Sequence, residues 1–98
     1  MNIVTEKTGD ALVVTLEGRL DTTTAPRLEE ALKVSLDGVT DLTLDLEKLE
    51  YLSSAGLRVL LAAQKTMNKQ GTMTVTNVNE TIQEIYEVTG FSDILTIR

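Results

Sequence analysis

The sequence contains neither cysteine nor histidine. Without a thiol there is no disulfide, no cysteine nucleophile and no thiolate metal site. Without an imidazole the usual general base and the commonest metal ligand are both missing. Tryptophan is absent too, and Tyr51, Tyr86 and Phe91 are the only aromatic residues, so the core has to be assembled from Leu, Val, Ile and Ala. Positive charge is scarce: nine basic residues face fifteen acidic ones, for a formal charge of −6. Such a chain repels phosphate backbones, and no basic stripe interleaved with aromatics offsets that, so nucleic-acid binding is not expected. No apolar run is long enough to cross a bilayer, and the amino terminus lacks a signal-peptide pattern. The expectation is a cytoplasmic protein without direct membrane insertion.

What remains is ordinary in amount and regular in pattern. Over 98 residues, 42% are hydrophobic and 24% charged, enough for one globular domain spanning 1–98 with a single modest core. Asn2-Ile3-Val4-Thr5 reads as a strand, and "ALVVTLEG" after the turn signal Thr8-Gly9-Asp10 as its hairpin partner. In "TTTAPRLEEALKVSL", Ala25, Leu28, Leu32 and Leu36 recur at helical spacing, with Pro26 in the first turn and Gly38 as the stop. Asp21 or one of the threonines is the expected cap of this helix. "DLTLDL", 41–46, alternates with period two as a half-buried strand does. A helix follows from Gly56 to Gln70-Gly71, then a strand, "TMTVTNV". Asn79 should cap a helix over "ETIQEIYEV", and "DILTI" should form a last strand. The order β-β-α-β-α-β-α-β predicts an α/β fold with a mixed sheet and helices packed chiefly on one face.

The residues that raise a functional question lie in "LEYLSSAGLRVLL", 49–61. A serine just before an apolar helical run is a favoured N-cap, worth about 1 kcal/mol. The same position is also an exposed loop at the carboxyl end of a strand, where α/β sheets place their sites. A phosphoryl group there would meet free backbone N–H groups and the positive end of the helix dipole, bringing about −1.5 to −2 units of charge near neutral pH. Spacing alone leaves cap and site both open for Ser53 and Ser54. Asp41, Asp45 and Glu47 alternate on one strand, but no EF-hand spacing accompanies them, and there is no phosphate-binding Gly-Lys-Ser/Thr loop. No metal or cofactor is expected. A serine hydrolase using Ser54 would need a lysine at the spacing of a known dyad, which the chain does not offer.

"LEYLSSAGLRVLL" resembles the signature of STAS domains, in particular the bacterial anti-sigma-factor antagonists. In that family a strand leads to Asp or Ser, then Ser, then a small residue, Gly-Leu and an apolar helix. "EGRLDTTTAPRLEEAL" and "TGF" at 89–91 are similar to two further stretches of the family, and the likeness runs along the whole chain. The resemblance implies a protein switch, not an enzyme. Its unphosphorylated form would bind an anti-sigma factor that is also a serine kinase of the histidine-kinase-like ATPase type, releasing the sigma factor. Phosphorylation would weaken that complex and a PP2C-type phosphatase would restore it. Counted back from Gly56-Leu57, the implied acceptor is Ser54, with Ser53, where the family often has aspartate, as the alternative. Asp21, Ser53, Ser54, Leu57 and Arg58 form the implied partner surface, Leu57 and Arg58 as exposed contacts. The rival within the same fold is an unphosphorylated adaptor subunit of a lipid-transport or signalling complex.

Overall fold

A computed structural model describes residues 1–80 and 82–84 of the chain. Two strands, β1 (Asn2–Thr8) and β2 (Ala11–Leu20), open it, followed by α1 (Ala25–Ser35), β3 (Asp41–Leu52), α2 (Ser54–Gln70) and β4 (Thr72–Thr76). Glu80 and residues 82–84 are helical, with Asn79 as the expected cap: its Oδ1 accepts from the Ile82 amide at 3.0 Å. Tyr86, the Thr89-Gly90-Phe91 stretch and the expected strand at 93–97 lie outside the described residues.

The sheet order is β1-β2-β3-β4, with β1 antiparallel to β2 and the other pairs parallel. The hairpin turns on Gly9, whose φ of 63° suits a residue without Cβ. The crossovers from β2 to β3 and from β3 to β4 advance in one direction; with the right-handed sense that parallel connections take, both helices fall on the same face, where they pack on each other. That face is laid down in rows across the register. Leu12, Leu42 and Met73 form one, Val14, Leu44 and Val75 the next, and all six are buried. Leu28 and Leu32 of α1 and Leu57, Leu60 and Met67 of α2 close over them. On the opposite face Val13 is exposed and Thr43, Asp45 and Thr74 half-buried, as the polar alternation along 41–45 requires.

One strand runs further than its alternation. β3 continues past residue 46 to Leu52, although its apolar residues Leu46, Leu49 and Leu52 are three apart and not two. Register shifts between Thr15 and Glu17 and between Gly18 and Arg19 explain this. Each inserts one extra residue on β3, so a spacing of three still returns to the core face. Gly18 stands between them with φ of 99°, a conformation that side chains disfavour. The long β3 delivers its end, and the start of α2, beside the end of β2.

Candidate functional site

The carboxyl ends of β2 and β3 are tied together by the Ser53 amide, which donates to the Leu20 carbonyl at 2.9 Å. Asp21 follows Leu20 directly, so this bond sets the Asp21 turn beside the serine pair. Close packing brings α2 down onto the same strand ends. A Cβ added to Gly56 would lie 2.6 Å from Leu20 Cγ and 2.9 Å from Leu52 Cδ1. Only glycine lets the helix start this near the sheet.

The two serines have different jobs. Ser53 is the N-cap: extended at φ −88° and ψ 171°, its Oγ accepts from the Gly56 amide at 3.2 Å while its carbonyl accepts from the Leu57 amide at 2.9 Å. Ser54 is the first helical residue and is exposed, and its hydroxyl makes no hydrogen bond among the described residues. Arg58 lies one turn further along and is also exposed. The first turn of α2 holds no acidic residue, so its positive dipole end is not matched by a side-chain charge.

Asp21 does not cap α1. Its Oδ1 accepts from the Thr23 hydroxyl at 2.7 Å, the Thr23 amide at 3.0 Å and the Thr24 amide at 3.2 Å, closing a turn of the Asx kind. Thr24 occupies the N-cap position without a capping bond, because its hydroxyl donates to the Arg19 carbonyl at 2.8 Å and accepts from the Asp21 amide at 2.8 Å. Pro26 in the first turn removes one of the amides that would have needed a cap. The Thr23 hydroxyl, ahead of the backbone amides, holds the Asp21 carboxyl below the usual carboxylate range, so it is ionised at neutral pH.

Leu57 corrects an expectation. It is 1% exposed and belongs to the core, because the close approach at Gly56 turns the next residue straight down onto the sheet. It supports the surface and cannot contribute side-chain contact area. Asp21, Ser53, Ser54 and Arg58 do gather at one end of the molecule. A crevice of about 230 Å³ between the helix starts adds Thr22, Pro26 and Ala55 to the same surface, with Glu29 on its wall. Sequence reasoning did not find Arg19, whose guanidinium lies 4.4 Å from the centre of the Tyr51 ring at the ends of β2 and β3. Only the bulged register pairs these residues, and local spacing carries no signal of it.

The arrangement offers an exposed hydroxyl, a cation one turn away and an ionised carboxylate on a neighbouring turn. Neither serine is hydrogen-bonded to the Asp21 carboxylate among the described residues.

The STAS domain family model matches residues 2–98. An anti-sigma-B factor antagonist from Listeria monocytogenes is 32% identical over 104 residues, covering 100% of this chain and 90% of the relative. Among solved structures, an anti-sigma factor antagonist from Mycobacterium paratuberculosis superposes with a TM-score of 0.87 at 28% identity, covering 98% of this chain and 83% of that one. SpoIIAA of Bacillus shares the fold at 18% identity, with TM-scores of 0.85 to its unphosphorylated form and 0.77 to its phosphorylated form; the alignments cover 99% of this chain and 88% and 91% of SpoIIAA. The chain belongs to the STAS domain family.

Proposed function

We propose that this protein is an anti-sigma-factor antagonist whose binding surface is switched off by phosphorylation of Ser54. The observation that carries the reading is the division of labour between the serines. Ser53 is committed to the helix cap, and the hydroxyl of Ser54 faces solvent without a partner among the described residues. A kinase can reach that hydroxyl without unfolding anything. The relatives named as anti-sigma factor antagonists support the role, and SpoIIAA exists in both an unphosphorylated and a phosphorylated form on the same fold.

In this reading the protein acts by binding and the covalent chemistry belongs to its partners. An anti-sigma factor that is also a serine kinase of the histidine-kinase-like ATPase type docks on Asp21, Ser53, Ser54 and Arg58 and gives up its sigma factor. Later it transfers the γ-phosphoryl group of ATP to Ser54 Oγ, leaving ADP and a proton. A neutral hydroxyl is cheap to bury in the interface once it is hydrogen-bonded, whereas burying a phosphate dianion against the partner costs enough to dissociate the complex. A PP2C-type phosphatase hydrolyses the ester to serine and inorganic phosphate and resets the switch.

Phosphopeptide mapping after incubation with the kinase and ATP tests the acceptor. One phosphate on Ser54, absent from Ser54→Ala and retained in Ser53→Ala, is the expected result. A phosphate on Ser53, or none on either serine, contradicts it.

A further inference from the structure

We propose that Arg58 is the intramolecular ligand of the phosphoryl group on Ser54. The inference rests on the reading of Ser54 as the acceptor and concerns what the protein itself does with the modification. Ser54 and Arg58 are four residues apart on α2, so they are neighbours on one helix face. The anion would stand on the amino-terminal side of the cation, the more favourable order for such a pair.

Arg58 is available for this. It is exposed, and the ion pairs formed among the described residues are Lys33 with Glu29 at 3.3 Å and Lys48 with Glu17 at 3.5 Å. Glu29, the acid that shares the crevice with Arg58, is thus already engaged. Asp21 on the adjoining turn is held by the Thr23 and Thr24 donors. With no acid in its first turn, α2 begins with an unmatched positive end, and the Arg58 guanidinium on the same face has no ion pair among the described residues. A phosphoryl group on Ser54 satisfies both, and the planar guanidinium can hold two of its oxygens at once. Phosphorylation then does more than add charge to the partner surface. It also takes Arg58 out of that surface by folding it back onto the phosphate.

Phosphorus NMR of the phosphorylated full chain reads this directly, through the pH midpoint of the second phosphate ionisation. Arg58 favours the dianion, so the wild-type midpoint should lie below that of Arg58→Gln by about 0.15–0.4 pH unit, the size expected of a helical ion pair. Arg58→Lys, which keeps the charge and loses the fork, should fall between the two. Equal midpoints in wild type and Arg58→Gln overturn the role of Arg58 while leaving Ser54 as the acceptor. Absence of phosphate from Ser54 in every variant overturns the acceptor reading instead, and Arg58's role falls with it.

Discussion

Ser53 holds the amide of Gly56, and Ser54, one residue on, presents its hydroxyl to solvent. Their alanine variants should therefore separate stability from regulation. Ser53→Ala loses a cap and should lower the unfolding free energy by about 1 kcal/mol. Ser54→Ala removes an exposed group and should stay within about 0.5 kcal/mol of wild type. Urea unfolding of the two variants measures both. Asp21 supplies a prediction in acid. Its carboxyl titrates lower in the folded protein than in the unfolded chain, so folding favours the ionised form. That contribution is complete above the unfolded value of about 3.9 and is lost as pH falls through the lower, folded one. Asp21→Asn should flatten the fall in stability over that acid window. An unchanged slope in unfolding titrations would show that the Thr23 and Thr24 bonds do not matter energetically.

Among the elements, α2 is placed by glycine at both ends. At Gly56 an alanine Cβ would press on Leu20 and Leu52, both buried. Overpacking of this kind costs about 1–3 kcal/mol, against about 1 kcal/mol of helix propensity that alanine recovers. Gly56→Ala should be destabilising on balance, with its strain centred on the serine site. At Gly71 the added Cβ would be built into the carbonyl of Thr40, a backbone group fixed by its hydrogen bond from the Thr72 amide at 2.9 Å. Side-chain rotation cannot relieve that contact, so Gly71→Ala should lower the melting temperature more than Gly56→Ala. Thermal scans of both variants settle the order. Gln70 reinforces the same corner, donating from Nε2 to the carbonyls of Leu36 and Val39 at 2.7 and 2.6 Å.

The element scale also shows where a sequence can be read and where it cannot. Period two along 41–46, the β-branched runs around the Gly9 turn and at 72–78, and the apolar spacings of both helices announced the four described strands, the two long helices and their order, because those signals are local. The second half of β3 was hidden, since its bulges turn a strand's period into an apparent period of three. The serine pair and Asp21 were visible as chemistry. Their different settings were not, because a capping hydroxyl and a solvent-facing one are distinguished only by the direction each takes. Leu57 misled for a related reason: its exposure depends on how closely Gly56 approaches the sheet, a contact with residues far away in the chain.

On the scale of the whole molecule, the mixed sheet and its one-sided helices bring the ends of β2 and β3 and the starts of α1 and α2 to a single end. The site is thus built from segments more than thirty residues apart, Asp21 on one and Ser53, Ser54 and Arg58 on the other. That end presents a carboxylate, a guanidinium and a hydroxyl that makes no hydrogen bond among the described residues. One added phosphate changes the charge of that surface without touching the core beneath it. The decisive measurement is calorimetric titration of the anti-sigma factor kinase with the unphosphorylated protein and with the Ser54-phosphorylated protein, at equal ionic strength. The account predicts a stable complex for the first and at least a hundredfold weaker binding for the second, a loss of about 2.7 kcal/mol or more. Equal affinity for both forms would contradict it.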